Sequence, residues 1–384
     1  MRIDFHASPR PTLGVEWELA LVDRESRDLV NGAASLFELA VPRLDDPGRL
    51  HKELLRNTVE VVTGICDTVA EAVEDLVGTL RVVLPAADEL GLDLFGAGAH
   101  PFAAWSSQVL TPGHRYEELI NRTQWWGRQM LIWGLHVHVG MPERDRVIPV
   151  LSSLLNTFPH LQALSASSPI WAGTDTGYAS NRALMFQQLP TAGLPFQFET
   201  WGEYEDFVDD QLTTGVIEGF TDIRWDIRPS SELGTIENRV CDGVSDVREL
   251  TGLVALMHCL VVDLDQRLAA GEELPTMPPW HVQENKWRAA RYGLDAEIIL
   301  DSACRERLVT DDLADLLERL TPVARRLDCE DELRSVADIP RVGASYQRQR
   351  AVLDRTGGDL VAVVDSVVRE LRTSLGHGVP AGVR

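Results

Sequence analysis

"GLHVHVG", residues Gly134–Gly140, alternates apolar side chains with two histidines and has a glycine at each end. This period-2 alternation predicts a half-buried β-strand. Successive side chains of a strand point to opposite faces, so His136 and His138 lie on one face and the apolar residues on the other. The two imidazoles could be metal ligands, phosphate contacts or polar groups on an ordinary solvated strand.

Further strands and helices follow from the pattern on either side of this stretch. The stretches "GVEWELALVD", "TVEVVTG", "RWDIRPS" and "TIENRVCDG" also alternate and predict strands, with helical segments between them. After the proline-rich "LPTMPPWH", Leu274 to His281, "DDLADLLERLTPVARRL" and "DLVAVVDSVVRELRTSL" repeat apolar residues at helical spacing. The sequence therefore predicts an α+β protein whose antiparallel sheet packs one face on helices.

Several predicted strands carry charged side chains opposite their apolar residues. In "GVEWEL", Glu16 and Glu18 lie on one face, with Val15 and Trp17 on the other. Comparable strand positions hold Glu60, Glu237, Arg239, Arg224, Asp226 and Arg228. Glu53 is expected in a turn of helix ahead of its neighbouring strand. Each strand taken alone could be the solvated edge of a sheet.

A convergence of these faces would have a chemical consequence. Closely packed carboxylates need a cation between them, because they otherwise raise one another's pKa or destabilise the fold. Oxygen-rich ligation with one or two imidazoles favours magnesium or manganese over zinc. Arginines among the carboxylates can bind phosphate or carboxylate oxygens bidentately. Metal ions and arginines on one sheet predict a triphosphate site.

Composition narrows the class of protein. The 384 residues are 44% hydrophobic and include 59 acidic and 36 basic residues, for a formal net charge of -23. This charge repels a phosphate backbone and argues against nucleic-acid binding. The longest apolar run, which starts at Leu250, is too short and interrupted to span a membrane, so we expect a cytoplasmic protein. Five scattered cysteines without a CxxC pair indicate neither a disulfide framework nor a cysteine-zinc site.

Eight stretches, in order and without large gaps, resemble the carboxylate-amine ligases called glutamate-cysteine ligase type 2. They are "PTLGVEWELALVD", "HKELLRNTVEVVTG", "GAGAHPFAAW", "GLHVHVG", "DTGYASNRALMFQQLPTAGLPF", "DIRPS", "TIENRVCDG" and "ENKWRAARYGLDA". The resemblance runs from about Arg2 to past Gln349. It implies an α+β fold like the catalytic domain of glutamine synthetase, with a curved antiparallel sheet of about six strands, helices on its convex face and a helical C-terminal part.

The resemblance also implies roles for individual residues. The residues that match the family's metal-binding set, for Mg2+ or Mn2+, are Glu16, Glu18, Glu53, Glu60, His138 and Glu237. Arg239 resembles the arginine that meets the transferred phosphate, and Glu237 and Arg228 complete the expected catalytic residues. The expected contacts to nucleotide or phosphate are His136, Arg182 and Arg288. His136 could instead form hydrogen bonds that orient the metal ligands, and Arg288 could instead form a surface pair with Glu284, four residues earlier on a predicted helix.

The activity implied by the resemblance is ATP-dependent amide formation. The γ-carboxylate of L-glutamate would be joined to an amine such as that of L-cysteine through an acyl phosphate, with release of ADP and phosphate. The partners would be ATP and amino acids, with neither nucleic acid nor membrane, and enzymes of this class can form homodimers. Two alternatives remain open: an ATP-binding regulatory protein on the same fold, and a zinc-dependent amidohydrolase, which also begins with HxH on a strand.

The domain organisation is predicted from the same patterns. We expect a flexible N-terminus over residues 1–10, a catalytic sheet-and-helix region over 11–273, a helical region over 274–375 packed on the same domain, and a flexible tail over 376–384.

Overall fold

The structure is a computed structural model that describes residues 2–377. Its strands are β1 (Leu13–Asp23), β2 (Leu50–Lys52), β3 (Thr58–Val62), β4 (Leu92–Phe95), β5 (Gly134–Gly140), β6 (Ile170–Trp171), β7 (Thr174–Asp175), β8 (Ala192–Gly193), β9 (Arg224–Trp225), β10 (Ile227–Ser230), β11 (Thr235–Asp242), β12 (Glu297–Ile299) and β13 (Glu306–Leu308). Its α-helices are α1 (Ala33–Ala40), α2 (Val69–Glu89), α3 (His114–Arg128), α4 (Val147–Leu154), α5 (Phe158–Ser165), α6 (Arg182–Phe186), α7 (Trp201–Thr213), α8 (Val247–Ala269), α9 (Pro279–Tyr292), α10 (Val309–Arg326), α11 (Glu330–Ser335), α12 (Asp338–Val342), α13 (Ser345–Arg355) and α14 (Leu360–Ser374).

Within the described residues, seven strands form the main antiparallel sheet. Their order is β10-β11-β5-β1-β3-β2, and β4 pairs with the second half of β1. The long central strand β1 is thus hydrogen-bonded to β3 along one edge. Along its other edge it pairs with β5 through its first half and with β4 through its second half. The predicted α+β fold with an antiparallel sheet is confirmed, with one strand more than the expected six.

One face of the sheet is covered by helices because its side chains are apolar. Val15, Trp17 and Leu19 alternate along β1 toward this face, are at most 1% exposed, and share a core with residues of α2 and α8. Burial of each such side chain contributes about 1.5–3 kcal/mol. The indole Nε1 of Trp17 donates a hydrogen bond to the carbonyl of Val244 (3.1 Å), so its polar atom is satisfied in the core.

The other face of β1 is divided between an apolar end and a polar end. Ala20 and Val22 join a second apolar cluster with Trp133 and with Val364 and Val368 of α14. Glu16 and Glu18 precede them on the same face. Helix α14 therefore covers one end of this face, and the acidic end remains available for a site.

A buried ion cluster fixes α14 to the sheet. Arg27 Nη1 and Arg372 Nε donate to the two carboxylate oxygens of Asp93 in β4, at 2.6 and 2.7 Å. A carboxylate enclosed by two guanidiniums is fully satisfied, whereas loss of either arginine would leave a buried charge unpaired. The helices predicted in the last third of the chain are confirmed as α10 and α14, and α10 contributes Leu320 to the same core as Trp17.

The domain boundaries stay predictions. Residues 2–10, expected to be flexible, include Ile3, which is 2% exposed. The backbone N–H groups of His6 and Ser8 donate to the carbonyls of Ser231 and Met141, each at 2.9 Å. Most of the expected flexible tail, residues 378–384, lies outside the described residues. Among residues 2–377, none of the helices has the length and apolar character that crossing a bilayer requires.

Two buried histidines predict how stability depends on pH. Burial lowers the pKa of His100 and of His258 to about 4. It does so although Nε2 of His100 donates to the carbonyl of Arg27 (2.8 Å) and Nε2 of His258 to the carbonyl of Pro11 (2.7 Å). The folded protein binds fewer protons than the unfolded chain between pH 6.5 and 4. This part of the stability is therefore present above pH 6.5 and is lost as the pH falls, by about 2 kcal/mol per histidine at pH 5.

His258→Gln keeps an N–H donor for Pro11 and does not titrate, so the variant should lose less stability than the wild type between pH 7 and pH 5. Urea unfolding at both pH values measures the difference. The same loss of stability in both proteins would contradict this assignment.

Candidate active site

Strand register brings three predicted metal ligands together. In the β1–β5 pair Glu16 lies opposite His136 and Gly14 opposite His138, and in the β5–β11 pair His138 lies opposite Glu237. Opposed residues of an antiparallel pair share a face, and Gly14 leaves room beside the imidazole. His138 Nε2 consequently lies 3.2 Å from Glu16 Oε1 and 3.9 Å from Glu237 Oε1.

A second set of carboxylates continues from Glu16 across the sheet. Glu18 of β1 lies opposite Glu60 of β3, and Glu53 reaches them from the segment after β2. Three groups each place their ligand atoms within 4.8 Å of one another: Glu16, His138 and Glu237; Glu16, Glu60 and His136; and Glu18, Glu53 and Glu60. Because Glu16 and Glu60 each belong to two groups, the three form one continuous acidic strip.

The electrostatics differ between the two ends of the strip. Burial raises the pKa of Glu53 well above its usual value, and the neighbouring charges of Glu60 and Glu18 raise it further. Burial likewise raises the pKa of Glu60, reinforced by Glu16 and Glu18. At Glu237 burial acts in the same direction, but Arg239 and Arg228 outweigh it and lower the pKa. Negative charge is thus compensated by protein at one end and left uncompensated at the other.

The strip fits divalent cations that prefer oxygen ligands. Each group offers at least two carboxylates and at most one imidazole, which is the donor set of Mg2+ or Mn2+. A cation bound there would also relieve the repulsion that raises the pKa of Glu53 and Glu60. The predicted six-residue metal set is therefore brought together, and its role as a metal site stays a prediction.

The two histidines of β5 have different surroundings. His138 Nδ1 lies 2.9 Å from the hydroxyl of Thr235, which can orient the ring and leave Nε2 toward the carboxylates. Burial acts to lower the pKa of His138, but Glu237 and Glu16 outweigh it and raise the pKa. His136 Nδ1 lies 3.0 Å from Glu16 Oε2 and 3.4 Å from Arg239 Nη1, and burial together with Arg239 lowers its pKa. His138 suits a ligand beside carboxylates, whereas His136 sits at the boundary with the arginines.

Arginines line the wall beside the carboxylates. Arg239 and Arg228 both donate to the carboxylate of Glu237, the latter from Nε at 2.6 Å. Arg182, at the start of α6, donates from Nη1 to the carbonyl of Arg239 (3.1 Å). Its guanidinium passes directly over Gly134, where a Cβ would lie 2.2 Å from Nη2. A side chain at this position would displace the guanidinium of Arg182 from its place over the start of β5.

Two cavities meet at the acidic strip. One, of about 290 Å³, contains Glu16, Glu18, Glu53, Glu60 and His136, and its other walls carry Arg182, Arg228 and Arg239. The second, of about 550 Å³, opens on Glu16 and His138 and is mostly apolar, with Leu13, Val15, Val62, Ile65 and Leu233 in its walls. The carboxylates therefore lie between a charged compartment and an apolar one.

The arginine-lined cavity includes residues that the sequence did not indicate. Arg115 and Tyr116 come from α3, and Phe186 and Leu189 from α6 and the turn after it. The spacing of apolar residues in α3 does not distinguish Arg115 and Tyr116 from solvent-exposed residues of a surface helix. Arg224 also lines the cavity, and its alternation with Arg228 in "RWDIRPS" was a signal for its position.

Three expectations differ from the structure. Arg288, expected at the nucleotide, pairs with Glu284 (2.8 Å) and Glu306 (2.6 Å) on α9 and β13 and does not line either cavity. Glu53 lies in an irregular segment rather than in a turn of helix, because the chain turns there between β2 and β3. Strand β5 is buried on both faces rather than half-buried, since distant segments wall the site above its histidines.

Two solved structures have the same fold as this chain. A glutamate–cysteine ligase from Francisella tularensis, in complex with AMP, matches with a TM-score of 0.68 at 14% identity, covering 99% of this chain and 92% of that one. A bifunctional glutathione synthetase from Pasteurella multocida matches with a TM-score of 0.67 at 12% identity, covering 96% of this chain and 53% of that one. These matches show that the chain shares the fold of both proteins.

Sequence comparison then gives the family. Residues 12–366 match the model of glutamate-cysteine ligase family 2 (GCS2), and the chain belongs to this family. A "Putative glutamate--cysteine ligase 2-3" from Nocardioides sp. is 75% identical over 98% of this chain and 100% of its own length. A "Putative glutamate--cysteine ligase 2" from Mycobacterium ulcerans is 66% identical over 96% of this chain and 93% of its own length. The resemblance seen in the eight stretches is confirmed, and the protein is an ATP-dependent ligase that forms carbon–nitrogen bonds.

Replacing Glu60 by Gln tests the acidic strip without measuring catalysis. The variant removes a charge that repels Glu16 and Glu18, so the metal-free protein should melt at a higher temperature than the wild type. The rise in melting temperature on adding Mn2+ should be smaller, and Mn2+ affinity measured by electron paramagnetic resonance should fall about 10-fold or more. Glu74→Gln, at an exposed position of α2, is the matched control and should behave as the wild type. Equal Mn2+ responses in all three proteins would contradict a metal site at Glu60.

Proposed function

We propose that the protein activates a substrate carboxylate, the γ-carboxylate of L-glutamate, by phosphorylation with ATP and then joins it to an amine. The observation that carries the proposal is the position of Arg239. Its guanidinium lies against Glu237 and His136, at the boundary between the carboxylates and the arginines of the same cavity. A phosphoryl group passing between nucleotide and carboxylate needs positive charge at such a boundary.

The acidic strip would hold the cations that a triphosphate brings. Glu16, His138 and Glu237 form the group next to the apolar cavity, and Glu18, Glu53 and Glu60 form the group inside the arginine-lined cavity. A bound Mg2+ or Mn2+ supplies Lewis-acid polarisation of phosphoryl oxygens. Through these cations the six residues would orient the phosphates.

The two cavities suit different parts of the substrates. The apolar cavity beside Glu16 and His138 fits a nucleoside, since its walls are chiefly hydrocarbon. The arginine-lined cavity fits the carboxylate substrate, because guanidiniums bind carboxylates bidentately. His136 and Arg182, expected at the nucleotide, would then lie near the transferred phosphoryl group rather than at the base.

Arg239 is suited to stabilise the charge that develops on transfer. Burial acts to lower its pKa, but Glu237 and Glu16 outweigh it and raise the pKa, so the guanidinium stays charged. Nη1 donates to Glu237, while Nε is buried without a partner within the described residues. That unused N–H could donate to a phosphoryl oxygen as the acyl phosphate forms. The amine then displaces phosphate, and a carboxylate of the same cavity accepts the ammonium proton.

The alternatives fit the site less well. A zinc amidohydrolase needs several imidazoles at one ion, whereas each group found within residues 2–377 has a single histidine at most. His160 is occupied by Asp312 (2.9 Å), and His100 and His258 by backbone carbonyls. All six expected ligand positions hold a glutamate or a histidine, beside a charged Arg239. This complete set counts against a regulatory protein that has lost catalysis.

The substrates can be identified by ADP release over a panel of carboxylic acids and amines, in saturating Mg2+ and ATP, with mass analysis of the products. We expect release that depends on both an acid and an amine, highest with L-glutamate and including L-cysteine among the amines. Nucleotide binding with no ADP release in any pairing would favour the regulatory alternative.

Arg239→Lys keeps the charge but loses the planar set of donors. We expect kcat to fall about 100- to 1,000-fold, because the interaction is made with charge that develops during transfer. The KM for ATP should change little, since the nucleoside lies in the other cavity. Arg248→Lys, at an exposed position on α8, is the control and should match the wild type. An unchanged kcat in the Arg239 variant would remove this residue from the transfer step.

A further inference from the structure

Two arginines on the wall of the arginine-lined cavity take no part in the chemistry proposed above. Arg224 belongs to β9, whose pairing with β8 fixes its backbone, and Arg115 belongs to the first turn of α3. Both line the cavity that contains the acidic strip. Their hydrogen-bond partners are Thr221 and Asp222, whereas Arg228 and Arg239 bind Glu237, so their presence in the cavity needs a separate explanation.

The hydrogen bonds of Arg224 leave donors unused. Its Nη2 donates to Asp222 Oδ1 (2.7 Å) and its Nη1 to the carbonyl of Asp222 (3.1 Å), while the side chain is 14% exposed. A guanidinium has five N–H donors, so a second edge remains for a ligand. Arg228 differs, because Nε donates to Glu237 and Nη1 to the carbonyl of Ile223, each at 2.6 Å. Arg228 therefore anchors the site, whereas Arg224 is only held in place at one edge.

Charge at this wall is only partly balanced. Burial lowers the pKa of Arg224, and the positive charges of Arg115 and Arg228 lower it further, against the effect of Asp222. Arg115 contacts the carbonyl of Thr221 from Nη2 (3.5 Å) and is exposed. Guanidiniums that repel one another in a cavity of a protein with net charge -23 are the arrangement expected where an anion binds.

Helix α3 can bring Arg115 onto a ligand. Of its 15 residues only Ile120 and Gly127 are buried, so little apolar packing fixes the helix. Tyr116, the next residue, donates from its hydroxyl to the carbonyl of Lys52 (3.4 Å) and connects α3 to the segment before Glu53. The ligand would be enclosed between the acidic strip and this helix.

We propose that Arg224 and Arg115 bind the carboxylate of an amino-acid substrate that does not react, and so make the enzyme select substrates with this second anionic group. The inference rests on the proposed function, since it takes one carboxylate to be activated near Arg239. The bound group is a free α-carboxylate, which both a glutamate donor and a cysteine acceptor would present. Planar bidentate pairing with Arg224 gives the selectivity, and Arg115 adds charge from the helix.

Decarboxylated analogues separate the two sources of this carboxylate. 4-Aminobutyrate is glutamate without its α-carboxylate and keeps the reacting carboxylate, and cysteamine is cysteine without its carboxylate. We would measure kcat/KM for glutamate against 4-aminobutyrate with cysteine as amine, and for cysteine against cysteamine with glutamate as donor. The wild type should prefer the complete amino acid by about 100-fold or more in one of the two comparisons.

Arg224→Gln should reduce that preference to about 10-fold or less by lowering kcat/KM for the complete amino acid alone. Arg115→Gln should act in the same direction and less strongly, and Arg224→Lys should restore part of the preference. Arg128→Gln, on the exposed side of the same helix, is the control and should match the wild type. If the preference for glutamate over 4-aminobutyrate is lost, the arginines bind the donor. If the preference for cysteine over cysteamine is lost, they bind the acceptor, and either result supports the proposal.

If the wild type is active, two results would overturn the proposal. An equal loss for the complete and the decarboxylated substrate in Arg224→Gln would mean that the arginine only maintains the cavity. An unchanged preference would mean that another residue binds the carboxylate. No ADP release by the wild type in any pairing would instead contradict the proposed function itself, and this assignment with it.

Discussion

The pairing register of β1, β5 and β11 is the constraint on which the site depends. It places Glu16 opposite His136 and His138 opposite Glu237, and it is maintained by the apolar residues on the other face of the same strands. A slip of one residue would turn every carboxylate into the core and expose Trp17, so the burial that stabilises the sheet also fixes the acidic groups. The hydrophobic face thereby holds like charges together against their mutual repulsion.

This repulsion differs between the two ends of the acidic strip, and the difference suits the proposed phosphoryl transfer. Arg239 and Arg228 compensate the carboxylate of Glu237, while burial and neighbouring carboxylates raise the pKa values of Glu53 and Glu60. On the proposed function, the uncompensated end would be stabilised by the cations and the substrate that bind there. Preorganised charge of this kind lowers the reorganisation needed during phosphoryl transfer.

Local periodicity accounts for what the sequence could predict. Alternation in "GLHVHVG" and "GVEWEL" was enough to place the polar side chains of β1 and β5 on one face. The same alternation in "TVEVVTG", "RWDIRPS" and "TIENRVCDG" predicted β3, β10 and β11. Features that depend on tertiary packing could not be predicted. Tyr116 lines the cavity although the apolar spacing of its helix gives no sign of this, and segments distant in sequence bury β5 on both faces. Arg288 lies within one of the eight family stretches and was expected at the site for that reason, but nearby Glu284 and Glu306 pair with its guanidinium.

Isotope transfer from substrate to phosphate tests most directly whether this site activates a carboxylate by phosphorylation. L-glutamate carrying 18O in its γ-carboxylate would be incubated with unlabelled ATP, Mg2+, L-cysteine and the wild-type protein, and the released phosphate analysed by mass spectrometry. An acyl phosphate leaves one carboxylate oxygen on phosphate when the amine displaces it, so one 18O per phosphate is expected. Amide product accompanied by unlabelled phosphate would contradict activation through an acyl phosphate.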